Sequence, residues 1–117
     1  MAKNMKVSDG TKLSVVCSDP ATPKSGDPVL VGQLPAVATT NERADGTTSV
    51  DTHGVFNLSV KGVDGGGNSA VAAGDLLYYV AADTPKLSKK NTGVRFGYAL
   101  AAVTSGSTAT IPVKVGY

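Results

Sequence analysis

The sequence predicts an all-β protein, a single compact β-barrel or β-sandwich of short antiparallel strands with a flexible N-terminal arm. Three observations carry this. Glycine is abundant, at 14 of 117 residues, while Trp is absent and four Tyr and two Phe supply all the rings; short strands and frequent turns suit that composition. No window repeats apolar residues at i, i+3, i+4 and i+7 over three turns, and the best helical stretch, residues 68–73, is barely more than one turn. Near the C-terminus lie two alternating runs joined by Ser105-Gly106-Ser107. In the first, Val94, Phe96, Tyr98 and Leu100 share one face and Arg95, Gly97, Ala99 and Ala101 the other; in the second, Ala109, Ile111, Val113 and Val115 alternate with Thr110, Pro112 and Lys114. They read as the central hairpin, apolar face inward, with the small residues of the other face open to close approach by a further layer.

The length fits one domain. Residues 1–10 read as an arm, polar apart from Met5 and Val7, and residues 11–117 as a single β domain. The first strand spans residues 12–18, with Leu13, Val15 and Cys17 inward. Two prolines and a glycine make residues 19–27 a loop. Residues 28–32 form a short apolar strand, and Pro35 breaks or turns the chain before residues 36–40. Asp45-Gly46 marks a hairpin turn within 41–47. His53-Gly54 forms another tight turn between strands 48–52 and 55–61, the latter lined on one face by Phe56, Leu58 and Val60. The triple glycine at 65–67 makes residues 63–69 a flexible loop. Residues 75–80 are a buried strand and residues 81–92 a second polar loop, holding Lys86, Lys89 and Lys90. An internal echo is visible: Ser25-Gly-Asp-Pro-Val-Leu-Val31 and Ala73-Gly-Asp-Leu-Leu-Tyr-Tyr79 both start small-Gly-Asp before an apolar strand, which reads either as a duplicated β-unit or as the common turn grammar of β proteins, the Gly-Asp pairs supplying tight turns rather than metal ligands.

Several function classes lose support. The lone Cys17 reads as a small buried hydrophobe, and with no partner cysteine it indicates a reducing compartment or a fold that needs no disulfide. The N-terminus lacks an apolar signal region and no run of about 18 apolar residues occurs. A net charge of +2 is too small to indicate nucleic-acid binding. Its distribution is uneven: residues 41–83 carry six acids against Arg43 and Lys61, whereas residues 84–117 carry five cations and no acid. Such a split suits docking to an oppositely charged partner or a second copy. The only histidine, His53, lies in a turn without a nucleophile–acid constellation, and Asp45, Asp51 and Asp64 are too scattered to hold a metal. Of Tyr78 and Tyr79, one reads as core and the other as rim. The reading is of a non-enzyme that needs no cofactor.

Taken in order, the Met-Ala-Lys-Asn start, SGDPVLVGQLPAVA at 25–38, THGVFNLSV at 52–60, AGDLLYYV at 73–80, TGVRFGYALAAV at 92–103 and the closing TATIPVKV resemble a family of small tailed-phage and prophage proteins, the capsid cement or head decoration proteins. The triple glycine and the long basic loop at 84–92 depart from the pattern. The resemblance implies a β-barrel or β-sandwich bound to the outer surface of the virion capsid, made in the bacterial host cytoplasm. It implies the major capsid protein as partner, self-association as a homotrimer, and no nucleic acid, membrane or catalysis. It transfers no contact residues. Those expected from the residues themselves are Lys3, Asn4, Met5, Lys6 and Val7 in the arm, with Lys89 and Lys90 in the basic loop. The other reading is a receptor- or glycan-binding fibre or tip domain, using exposed Tyr78 or Tyr79 and the 81–92 loop.

Overall fold

The structure, a computed structural model, describes residues 12–116. The expected arm, including Lys3 to Val7, lies outside these residues. The described chain contains ten strands and no helix: β1 (Lys12–Val15), β2 (Pro28–Val31), β3 (Leu34–Ala38), β4 (Thr48–Asp51), β5 (Gly54–Asp64), β6 (Gly67–Asn68), β7 (Leu76–Tyr79), β8 (Leu87–Lys89), β9 (Val94–Ala99) and β10 (Thr108–Val115). Strands β5, β8, β7, β9 and β10 close into a five-stranded barrel because β10 returns to β5. It is mixed, since β5 and β8 run parallel. Strands β1, β4, β3 and β2 form a separate antiparallel sheet. The expected all-β fold is therefore a barrel with an added sheet.

The separate sheet curls round its own small core. Its edge strand β2 is met by the chain just past β1: Ser18 N–H donates to the Leu30 carbonyl at 2.7 Å and Leu30 N–H to the Asp19 carbonyl at 2.9 Å. Val29, Ala36, Ala38 and Val50 fill the interior, with Leu13, Val15 and Cys17 packed against them. The expected inward face of the first strand is thus observed. Small side chains are what so tight a curl admits. Burial pushes the Cys17 thiol up, only partly offset by the hydroxyl of buried Thr48 beside it.

Pro35 does not break this sheet. It sits within β3, opposite Leu30, and the chain turns earlier, at Gly32-Gln33. The backbone N–H and C=O of Leu30 are already bonded to Asp19 on its far side, so Leu30–Pro35 is a pair without ladder hydrogen bonds. Proline's missing N–H therefore costs nothing there. The Asp45-Gly46 turn forms as expected, with Gly46 N–H donating to the Arg43 carbonyl at 2.9 Å. His53-Gly54 differs: β4 belongs to the small sheet and β5 to the barrel, so the link switches sheets and is no hairpin turn. Phe56, Leu58 and Val60 face the barrel core as expected.

The C-terminal pair needs a larger correction. β9 and β10 pair at only three positions, while β10 pairs with β5 at eight, from Thr108↔Lys61 to Val115↔Gly54. The turn at Ser105-Gly106 forms, but the chain before it diverges to bridge Val103 with Val71. Facing β7, β9 carries an irregularity: Leu77 pairs with Gly97 but Tyr78 with Arg95, leaving Phe96 as the extra residue. A β-bulge shifts the alternation by one. Phe96 is buried as expected, but beyond the bulge Ala99 turns into the core, and Tyr98 and Leu100, expected inside, turn outward. Close approach at Gly97 comes from this chain itself, since a Cβ there would lie 2.0 Å from the Lys114 carbonyl oxygen.

Two expected loops hold structure. Within residues 63–69, Gly65 and Gly66 form a two-residue turn between β5 and β6, with Gly67 at φ +131°. Residues 81–92 contain β8, whose Leu87 and Ser88 are buried. The Gly-Asp echo is a true structural repeat. In each copy the Asp carboxylate accepts a backbone N–H three residues back, Lys24 at 3.0 Å in one and Ala72 at 2.8 Å in the other. The preceding Gly26 and Gly74 take φ of 91° and 92°, a conformation glycine adopts without strain. Each turn then clasps an alanine on the neighbouring strand, Ala38 or Ala99, through a pair of backbone hydrogen bonds.

Leu30 and Val37 of the small sheet join the barrel core. The seam between the two units carries one polar cluster. The Asp19 carboxylate accepts the Tyr79 hydroxyl and, at 2.7 Å, the Lys86 ammonium. Lys86 also lies 5.4 Å from the centre of the Tyr79 ring, which stacks on Phe96. Burial raises the Asp19 pKa, but the hydrogen bonds from Lys86 and Tyr79 and the Lys86 charge outweigh it, and the net shift is down. Tyr79 shifts strongly up, first from burial and then from its bond to the Asp19 anion.

Candidate docking surface

The outward positions of a barrel strand are the alternates of its core positions, so register alone assembles the exterior. Val55 of β5 pairs with Lys114 of β10, Lys114 with Tyr98 of β9, and Tyr98 with Leu76 of β7. The next row sets Asn57 against Pro112, and Leu100 N–H donates to the Pro112 carbonyl at 3.0 Å. Ser59–Thr110 and Lys61–Thr108 complete the face. Val55 is 56% exposed and Leu100 44%, while Leu76, Tyr98 and Pro112 are half-buried. An exposed sheet face is ordinarily studded with Thr, Lys and Glu; the upper half of this one sets Val55, Leu76, Tyr98, Leu100 and Pro112 around Lys114 and Asn57.

The charges on the face have one sign. Among its outward positions on β5 and β10 the ionisable residues are Lys61 and Lys114, and neither makes an ion pair with a described residue. They stand three rows apart, roughly 20 Å along the strands. Lys61 borders a small hollow shared with Asp83 and Lys90, whose charges cancel at 2.7 Å. At the other margin, Asn57, Ser59 and Thr110 line a cleft of about 410 Å³ under Pro20, Pro28 and Pro85.

Four other lysines are engaged within the chain. Lys12 pairs with Asp51 at 3.0 Å, Lys86 with Asp19, and Lys89 with Asp75 at 3.4 Å. Lys89 also donates to the Ala70 carbonyl at 3.0 Å. Thus the expected contact residues Lys89 and Lys90 lie on and just after β8, each holding an acid of its own chain. Much of the charge asymmetry along the sequence closes internally here, since Asp75 and Asp83 belong to the acidic stretch and their partners to the basic one. Lys61, Lys114, Val55 and Leu100 were not among the expected contacts. Their alternation with core residues was visible, but that β5 and β10 set them on one face was not. Tyr79 is fully buried and cannot stack on a ligand, whereas Tyr78 is half-buried. His53 is exposed on the link between the sheets.

No helix among the described residues is long and apolar enough to cross a membrane, and no group of three or more His, Cys, Asp or Glu gathers among them to hold a metal ion. What this surface offers is contact area and charge. No curated protein and no solved structure matches the chain. The family model for phage cement proteins, a structural and capsid-associated group, matches residues 7–115, and the chain belongs to the phage cement protein family.

Proposed function

We propose that this protein binds the outside of a phage head through the major capsid protein and stabilises the shell, catalysing no reaction. The observation that supports this best is the outer face of β5, β10, β9 and β7, which gathers Val55, Leu76, Tyr98, Leu100 and Pro112 around Lys114 and carries Lys61 at its far end, on a barrel whose core is already complete. A barrel needs no exposed Val55 and Leu100 to fold, and an apolar group of this kind with half-buried Leu76, Tyr98 and Pro112 beside it suits cover by another surface.

The face spans roughly 20 by 15 Å from strand rise and spacing, well below the roughly 800 Å² that a stable contact buries per partner. It is therefore the centre of a contact rather than all of it. Residues 1–10 acting as an arm from a single β domain, with Lys3 to Val7 reaching a neighbour, would supply part of the remainder. A trimer would supply more by letting three such faces engage at once. Lys89 and Lys90 would add rim contacts, though their charges are already paired.

The test is to add purified protein to heads stripped of decoration, measure occupancy by co-sedimentation, and follow the temperature at which heads release DNA. Saturable binding and a raised release temperature are expected. Heads that bind none of the protein, or bind it with no gain in heat resistance, would remove this reading.

A further inference from the structure

We propose that the cleft under Pro20, Pro28 and Pro85 receives one arginine side chain from a protein partner, with Asp27 answering its charge. That the partner is the shell subunit rests on the capsid-binding reading; the chemistry of the pocket does not.

The two matching Gly-Asp turns differ in one respect. Each aspartate accepts a backbone N–H of its own turn, that of Lys24 for Asp27 and of Ala72 for Asp75. A neutral donor of this kind orients the carboxylate and leaves its charge in place. Asp75 then meets a cation of its own chain, Lys89 at 3.4 Å. Asp27 has no ion pair among the described residues, and Lys24 beside it in the turn is exposed and does not reach it. Asp27 is half-buried and lines the cleft. The other ionisable residue of the lining, Lys86, is held by Asp19 at 2.7 Å. One negative charge is thus left unanswered in a partly enclosed site, where an arriving cation gains more than it would in open water.

The rest of the lining favours a guanidinium over an ammonium. The guanidinium is planar and more weakly hydrated, so it loses less on entering a cleft walled by three proline rings. The floor offers oxygens: the Asn57 amide, which has no hydrogen-bond partner among the described residues, and the Ser59 and Thr110 hydroxyls, 3.5 Å apart. With the Asp27 carboxylate they form a spread of acceptors suited to the fork of N–H donors that arginine carries and lysine lacks. Asn57, Ser59 and Thr110 also belong to the outer face of β5 and β10. A protein covering that face therefore carries its own side chains past the mouth of the cleft, which at about 410 Å³ has room for one long side chain. A pocketed anchor of this kind is where an interface concentrates its binding energy.

The test titrates the isotope-labelled protein with N-acetylarginine methylamide and with its lysine and citrulline counterparts, following amide shifts by NMR. Saturable shifts at Asp27, Asn57 and Thr110 are expected with arginine, weaker ones with lysine and none with neutral citrulline. Asp27→Asn keeps an oxygen for the Lys24 N–H but loses the charge, and should weaken arginine binding roughly tenfold or more. Asn57→Leu, at an exposed strand position, should weaken it too, whereas Asp75→Asn, the same change in the matching turn, should not. Circular dichroism melting confirms that each variant is folded, and Asn57→Leu carries the test if Asp27→Asn is not. Absence of saturable arginine shifts, equal binding of citrulline, or wild-type affinity in the folded variants of the cleft would overturn the inference. Co-sedimentation with undecorated heads identifies the owner of the arginine: the folded cleft variant should bind roughly tenfold more weakly than wild type. Unchanged head binding, or loss of self-association instead, read by sedimentation velocity, would overturn the assignment to the shell subunit. Wild-type protein that takes the arginine probe but binds no heads would bring down the capsid reading and leave the pocket.

Discussion

The Tyr79 hydroxyl donates to the Asp19 carboxylate across the seam between the barrel and the curled sheet. The ring belongs to the barrel core and stacks on Phe96, whereas the acid belongs to the chain segment that closes the small sheet. This contact and the Lys86–Asp19 ion pair couple two units that also meet through apolar side chains such as Leu30 and Val37.

Tyr79→Phe should lower stability by about 1.5–3 kcal/mol, the net value of a hydrogen bond to a charged group. Its pH dependence has two limbs. Asp19 is shifted down on folding, so its contribution is present above about pH 4 and disappears as pH falls through the depressed value. The difference in stability between wild type and Asp19→Asn should narrow in acid accordingly. Tyr79 is shifted up, so its contribution is present below about pH 10 and is lost as pH rises beyond it. Denaturant melts across pH, with phenolate absorbance followed in alkali, check both limbs. A Tyr79 that ionises at the ordinary tyrosine value would contradict the seam.

Phe96→Ala should cost about 3–5 kcal/mol. Phe96 has no exposed surface and is the extra residue of the bulge, with Tyr79 against its ring. Urea melts measure it. A loss below about 1 kcal/mol would mean that the ring is not a core residue.

Gly97→Ala should be far more damaging than Gly66→Ala. At Gly97 the new methyl would meet the Lys114 carbonyl, and β10 cannot yield because β5 holds it at eight positions. At Gly66 the nearest atom is an Asp64 carboxylate oxygen at 3.5 Å, an ordinary contact. Thermal melts should therefore separate the two, with Gly66→Ala within about 0.5 kcal/mol of wild type. The triple glycine thus contains at least one position that is not required to be glycine.

Removing residues 2–8 should leave the melting curve unchanged and reduce occupancy on heads, if that segment acts as an arm. Truncated protein that decorates heads to wild-type occupancy would dispose of the arm.

Local grammar was readable from the residues, and non-local pairing was not. Leu13, Val15 and Cys17 announced an inward face by alternation, as did Phe56, Leu58 and Val60, and the repeated Gly-Asp phrase announced two matching turns. That one of Tyr78 and Tyr79 is core and the other rim was also readable, but which of them is core was not. Register across the barrel is set by partners distant in sequence, so β10 looked like half of a hairpin with β9 when most of its ladder lies with β5. The bulge at Phe96 inverted the facing of Tyr98 and Leu100, and no residue type marks such an inversion beyond the neighbouring glycine. β8 escaped notice because three residues between polar stretches show no period, and their strand state depends on β5 and β7 on either side. The docking face was hidden for the same reason: Val55 and Lys114 are 59 positions apart in the chain and meet only through that register.

Closure of β10 onto β5 also bears on crowding. Proteins arrayed on a shell stand side by side at very high local concentration, where bare strand edges would zip neighbours into aggregates. The five barrel strands spend their backbone hydrogen bonds on one another, so proximity alone gives adjacent barrels no template for cross-strand pairing. On the proposed capsid role, lateral order among such copies would fall to side chains and to the lattice beneath.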